Sequence, residues 1–323
     1  MKAARRAPRM ARWLTAWGAA IAIPLLAGCW QYEIEVTINP DGSGSRTLRL
    51  QADPEDMREE SADMAEFVGL YCLGAEAGWT MEREREPGAK REILVFTRRG
   101  QPASLGDWRH VSGDVRILGT LEPDPDTNVA FANAVAIEAG AGANLRTYTY
   151  RERFSWTGLR EIIIARQAEG FCNRLQGSYP FLTDENRQEL TGLLAGAILA
   201  TVELEASSKE PEGVAEALAH AVEAHVEDII RRHDPDAACT DVAQIVNGGL
   251  TGADKDLEAF LHEKLPGAYL AGATSIELRV TMPGRIVESN ADRVEGKTAC
   301  WSMDAWDALV RPVETFVRSE LSE

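Results

Sequence analysis

Past position 29 the chain alternates. Tyr32, Ile34, Val36 and Ile38 share one face of segment 32–38, the two-residue period of a half-buried strand. Asn39-Pro-Asp-Gly-Ser-Gly44 supplies turn residues. Arg46, Leu48 and Leu50 then alternate with Thr47 and Arg49 on a return strand. Asp53-Pro54 opens a helix whose Met57, Met64, Phe67, Val68 and Tyr71 fall on one face. Segments 79–84 and 92–98 read as a second hairpin across Pro87-Gly88, with 93–96 as its buried centre. A loop over 101–114 leads to a short strand at 115–118. Two longer strands, 129–138 and 145–156, are joined across a stretch rich in glycine and alanine.

The period changes near residue 159. Segments 159–176, 184–206, 212–232, 236–247 and 253–265 read as helices. The third carries Val214, Leu218, Ala221, Val222, Val226, Ile229 and Ile230 at helical spacing. Alternation returns over 274–282, turns at Pro283-Gly284, continues over 285–288 and ends in a strand at 297–303. Asp304 reads as the cap of a closing helix that runs to about Ser319 and is disturbed by Pro312.

This order predicts an α+β fold: a mainly antiparallel sheet with packed helices, interrupted by an all-helical insertion. Residues 29–158 plus 267–323 form the discontinuous sheet domain, and 159–266 the insertion. Two consecutive domains are the alternative. They would leave 274–303 as a sheet of three short strands, which is marginal on its own.

The first 28 residues stand apart. Lys2, Arg5, Arg6, Arg9 and Arg12 form a basic start with no acid, and an apolar run over 13–26 follows, broken by Pro24. The run is shorter than the roughly 20 apolar residues of a comfortable span. Leu26-Ala27-Gly28-Cys29 closes it. The pattern resembles the leader of bacterial lipoproteins, a signal peptide over 1–28 cut before a cysteine. The resemblance implies that Cys29 is the mature N-terminus, carries acyl chains such as palmitate, and makes the membrane a partner. Two or three chains anchor stably, since each buried methylene adds about 0.8 kcal/mol. It also implies location in the bacterial envelope. Trp30 in place of aspartate points to the periplasmic face of the outer membrane in a Gram-negative host.

Charge narrows the partners. The chain carries 34 Lys+Arg and 51 Asp+Glu, a net charge of −17. Without the five leader cations, 29 basic residues face 51 acidic ones, a net −22. So acidic a body argues against nucleic acid, whose affinity rests on Lys and Arg at phosphates. It argues equally against broad adhesion to anionic lipid.

Beyond Cys29 the cysteines are Cys72, Cys172, Cys239 and Cys300. An even number in an oxidising compartment favours two disulfides. Two cysteines fall in each part of the chain, which favours Cys172 with Cys239 and Cys72 with Cys300. Free buried thiols are the alternative. No nucleophile elbow, phosphate loop, zinc-protease helix or dinucleotide fingerprint stands in a supporting context. Segment 41–45 lacks the later acidic ligands of a calcium loop and reads as a turn. His220 and His225 are five apart, about 140° around a helix, where a metal pair wants one face. His233 sits at a helix end. No catalytic residue, metal or cofactor is expected.

Two segments resemble a family. One is the lipobox followed at once by the strand–Asn39-Pro-Asp-Gly-Ser-Gly-Ser45–strand hairpin. The other is Val280-Thr-Met-Pro-Gly-Arg-Ile-Val-Glu-Ser-Asn290 followed by Thr298-Ala-Cys-Trp301. Together they resemble the LppM-like bacterial lipoproteins and a related domain family of unknown function. Ala291 stands where the family pattern has glycine, and the helical block is large. The resemblance implies an α+β envelope module, one that handles lipid or glycolipid, with Pro283-Gly284 and Asn290 at turns and Trp301 in the core. The expectation is a lipid-anchored, non-enzymatic envelope protein that binds an amphiphile or an envelope partner. A structural or assembly lipoprotein with protein partners only, and an envelope hydrolase, are the alternatives. With strand one starting so close to Cys29, the hairpin end of the sheet is expected at the membrane surface.

Overall fold

A computed structural model describes residues 30–52, 75, 78–85, 92–111, 117–118, 129–142, 144–207, 211–250, 260–261, 265, 275–305 and 307–322. The fold is α+β. The chain divides into two compact units. One holds Arg160–Glu263, and the other joins Leu26–Leu159 with Lys264–Glu323.

The strand unit contains two sheets. The strands are β1 (Trp30–Ile38), β2 (Gly44–Ala52), β3 (Trp79–Arg85), β4 (Glu92–Gly100), β5 (Ile117–Leu118), β6 (Ala130–Ala141), β7 (Leu145–Thr157), β8 (Ser275–Thr281), β9 (Arg285–Ser289), β10 (Arg293–Glu295), β11 (Thr298–Asp304) and β12 (Val313–Ser322). Seven strands run β10-β11-β8-β1-β2-β4-β3, and five run β5-β6-β7-β12-β9. Every described pairing is antiparallel except β1 with β8, where Gln31 to Thr37 lie beside Ser275 to Thr281.

Alternation sets which face is buried. Tyr32, Ile34, Val36 and Ile38 from β1, Leu48 and Leu50 from β2, and Ile276, Leu278 and Val280 from β8 point into one core. Phe131 and Val135 of β6, Tyr148, Tyr150 and Phe154 of β7, and Val317 of β12 point into the same core from the other sheet. The strand unit is therefore a sandwich, its two inner faces interdigitating.

The Asn39–Ser43 turn is tightly built. Asn39 N–H donates to the Ser43 carbonyl (2.8 Å), and Gly42 N–H to the Asn39 carbonyl (3.0 Å). The Asp41 carboxylate accepts from Ser43 N–H (3.0 Å) and Oγ (2.6 Å). Those bonds hold the Asp41 carboxyl below its ordinary range. A 3-10 turn, Leu105–Val111, covers it, and the buried Trp108 donates from Nε1 to the Gly42 carbonyl (3.1 Å). A Cβ on Gly44 would lie 2.2 Å from the Thr37 carbonyl and 2.4 Å from the Trp108 ring, so only glycine fits there.

This turn lies at the far end of β1 from residue 29. Eight steps at about 3.3 Å separate Trp30 from Ile38, roughly 27 Å. The expected closeness of the hairpin turn to the start of strand one is thereby corrected: Trp30 and the Asn39–Ser43 turn lie at opposite ends of β1.

A second correction concerns the last segment. The closing helix is a single turn, α5 (Asp307–Val310), and the chain then enters strand β12. Pro312 stops the helix, lacking the N–H that would continue it. Asp304 N–H donates to the Asp307 carboxylate (3.0 Å). The inward face of β12 is Thr315, Val317 and Ser319, and its two polar members hide the alternation.

The helical unit contains α1 (Leu159–Ser178), α2 (Asp184–Ser207), α3 (Pro211–His233) and α4 (Val242–Leu250). Thr183 caps α2 through a reciprocal box. Its Oγ accepts from Asn186 N–H (3.3 Å), and Asn186 Oδ1 accepts from Thr183 N–H (3.1 Å). Phe171, Leu175, Leu194, Ile198, Val222, Val226, Ile229, Ile230, Val242 and Val246 form its core. The helix expected from Asp53 lies outside the described residues. No helix among the described residues is long and apolar enough to cross a membrane.

Candidate functional site

Cys29 lies outside the described residues, but the strand that follows it does not. β1 begins at Trp30 and is paired on both sides: Trp30 opposes Ala52, and Gln31 lies beside both Gln51 and Ser275. The chain is thus paired at Trp30 and lies between two strands from Gln31 onward. We term this end of the sandwich its base and the Asn39–Ser43 end its apex. At the base, Ser275 pairs with Asp304 and Ala52 with Leu94. The Trp156 indole donates to the Ala305 carbonyl (2.8 Å), which brings the end of β7 to the base as well. At the apex, Tyr148 donates its hydroxyl proton to the Pro40 carbonyl, which brings the start of β7 there.

Asp304 and Asp307 are the titratable pair of the base. Burial pushes both carboxyls above their ordinary range, and for Asp304 the neighbouring Asp307 charge adds to it.

A polar cluster sits inside the sandwich. Arg46 of β2 reaches across to Glu152 of β7, with Nη2 to Oε1 at 2.6 Å and Nη1 to Oε2 at 3.3 Å, and both side chains are fully buried. The Glu152 carboxylate also accepts from the Tyr150 hydroxyl and from Asn133 Nδ2. Arg46 Nη1 donates to the Tyr150 oxygen at 3.2 Å, and Thr315 Oγ to the Glu152 carbonyl at 3.2 Å. Burial raises the Tyr150 hydroxyl well above the usual tyrosine range, and the Glu152 charge adds to it. Tyr150 is therefore a neutral donor. Every element of the cluster is shielded from water, so the arrangement can key one sheet to the other. It offers no open position for a substrate.

The second family-like segment also turns out to join the sheets. Pro283 and Gly284 carry the chain from β8 in one sheet to β9 in the other, and a Cβ on Gly284 would sit 2.1 Å from the Glu320 carbonyl. Asn290 accepts from Trp301 Nε1 (3.0 Å) and Phe316 N–H (2.8 Å), and donates to the Glu314 carbonyl (2.8 Å). Asn290 therefore cross-links β11 and β12, a larger role than a turn position. Trp301 is buried in the core.

Cys172, Cys239 and Cys300 are free thiols in the structure, so the favoured Cys172–Cys239 bond is not formed there. The Cys172 thiol lies 3.2 Å from Thr191 Oγ and 3.6 Å from the Arg187 carbonyl, and burial raises its pKa. Cys239 Sγ donates to the Ala237 carbonyl (3.7 Å). Cys300 is buried on β11. Cys72 lies outside the described residues. His220 pairs with Glu223 and His225 with Glu189, both at 3.1 Å, while His233 sits beside the Phe181 ring. No group of three or more His, Cys, Asp or Glu among the described residues could hold a metal ion.

No protein-family profile matches the chain, and no curated protein matches it. Among solved structures, the NMR structure of the Mycobacterium tuberculosis LppM folded domain is similar over 91% of this chain and 91% of that one. The identity is 8% and the TM-score 0.30. A score of that size does not establish a shared fold.

Proposed function

We propose that this chain is a lipid-anchored bacterial envelope protein, tethered through an acylated Cys29, that acts without catalysis by binding an amphiphile or an envelope protein. One observation carries the reading: Trp30, directly after Cys29, is already paired with Ala52 in β1, a strand with neighbours on both sides. Cleavage before Cys29 leaves every described strand intact. The basic start, the short apolar run and the Leu26-Ala-Gly-Cys29 box support the same cut. The acidic body, with its net −22 after the cut, keeps the anchored protein soluble beside the bilayer.

Fractionation tests the anchor. The wild-type chain belongs in the membrane pellet after a high-salt wash, and Cys29→Ser moves it to the soluble fraction. Retention of Cys29→Ser in the washed pellet overturns the reading. Native mass spectrometry of protein purified from membranes then separates the two kinds of ligand. Co-purified lipid supports the amphiphile. Its repeated absence beside a reproducible protein partner supports an assembly role.

A further inference from the structure

We propose that the chain pairs with a second copy of itself through one edge of the seven-stranded sheet, β10 against β10, antiparallel and about a two-fold axis. Strand order puts β10 at one end of that sheet and β3 at the other. Arg293, Val294 and Glu295 of β10 are all exposed. A sheet edge presents backbone N–H and C=O groups as a template for another strand. The hairpin decides which groups those are. Gly296-Lys297 is a two-residue turn, so Glu295 and Thr298 make a hydrogen-bonded pair, and Arg293 with Cys300 makes the next. The N–H and C=O of Val294 therefore point away from β11.

Symmetry fixes the register. A two-fold axis perpendicular to the sheet keeps every side chain on its own face, so residues opposed across it are an even number apart. Centred on Val294, the pairing exchanges two N–H···O=C bonds between the two Val294 residues. It also sets Arg293 of each copy opposite Glu295 of the other, a favourable cross-strand pair. Both charges lie on the outer face, side by side, with Arg293 Nε 2.9 Å from Glu295 Oε1. Centring on Arg293 or on Glu295 opposes like charges instead. On the inner face Val294 ends a core row. Val36, Val280 and Ala299 stand beside it in register and are buried, while Val294 is 47% exposed. A second Val294 covers that end of the row. The edge strands β3 and β9 offer no such match. In β3, centring on Arg83 sets Glu82 against Glu84, and centring on Glu84 sets Arg83 against Arg85. In β9, centring on Val287 sets Ile286 against Glu288. Charge and shape thus select β10 for self-pairing and bar β3 from it.

Three residues a side fall well short of the roughly 800 Å² per partner of a standard interface, so the contact is transient and is trapped rather than sized. Val294→Cys places two thiols across the axis with Cα atoms about 5.5 Å apart, within disulfide reach. The full-length variant is oxidised with copper phenanthroline in unfractionated lysate of the producing cells and run on a non-reducing gel. The wild-type chain sets the background from its own cysteines, and Thr80→Cys on exposed β3 reports the other edge. Val294→Cys gives a band of twice the chain's mass that contains this chain alone by mass spectrometry, and Thr80→Cys stays at background. Added to Val294→Cys, either Arg293→Glu or Glu295→Arg abolishes the band, and the two together restore it, which also shows that the reversals leave the fold intact. A monomer at Val294→Cys, an equal band at Thr80→Cys, a band indifferent to the single reversals, or no recovery in the double reversal overturns the pairing. None of these outcomes depends on acylation of Cys29, so the pairing and the anchor stand or fall separately.

Discussion

The two units of this chain solve the packing problem differently. The strand unit places Arg46, Glu152, Tyr150 and Asn133 in its core and adds Asn290 as a second polar cross-link. The helical unit relies on an apolar cluster, with free thiols among and beside it. One of its buried polar side chains, Gln167, has an amide with no hydrogen-bond partner among the described residues. The reason lies in the periods. A strand shifted by one residue turns its whole apolar set to the wrong face, so a sandwich benefits from contacts that only one register satisfies. A helix presents a broad stripe, and apolar packing alone can seat it. Directional contacts thus concentrate in the unit whose register must be unique.

The largest expected effect attacks the polar key. Glu152→Ala leaves the Arg46 charge buried without its partner and should cost about 3–5 kcal/mol in denaturant unfolding. The double variant Arg46→Met, Glu152→Leu should lose less than Glu152→Ala alone, because no charge is stranded. Simple addition of the single losses would show that the pair does not act as a unit. In the helical core, Leu194→Ala should cost about 2–5 kcal/mol through the cavity it opens. A negligible loss there would blur the contrast between the two cores.

Asn290→Ala deprives Trp301 Nε1 and Phe316 N–H of their acceptor and should cost about 1–3 kcal/mol. The Trp301 emission should shift with it, and unchanged fluorescence would argue against the cross-link. Gln167→Leu should be neutral or stabilising by about 1 kcal/mol, since it replaces an unpartnered amide by an apolar group. A clear loss of stability would reveal a partner for that amide.

The smallest effect lies at the base. The native Asp304 carboxyl titrates above its ordinary range, so the folded state binds more protons than the unfolded one there. Stability therefore falls as pH rises from the ordinary carboxylate range through the raised native value. Asp304→Asn should be slightly more stable than wild type at neutral pH, with the gap closing in acid. A gap that widens in acid would contradict the sign.

Much of this architecture was legible in the chain. The alternation of Tyr32 to Ile38, of Leu48 and Leu50, and of Ile276 to Val280 marks faces that the structure buries. Helical spacing in Val222, Val226, Ile229 and Ile230 marks the stripe that α3 buries. The failures share a physical cause, which is polar residues on inward faces. Thr315 and Ser319 point into the core and mask the period of β12, so the pattern there reads as a helix. Arg46 sits in phase with Leu48 and Leu50, which hinted that it is buried. Its partner Glu152 lies 106 residues away, and no local pattern links them. Nor does any periodicity announce that the strands divide into two sheets, or that Trp108, in a segment read as a loop, closes over Gly42 and Gly44.

The central claim is that the fold hangs directly from an acylated Cys29. The most direct measurement is the mass of the N-terminal peptide of the protein isolated from membranes. The account predicts a peptide that begins at Cys29 and carries a diacylglyceryl group. A chain that retains its first 28 residues, one cut elsewhere, or an unmodified Cys29 would contradict it.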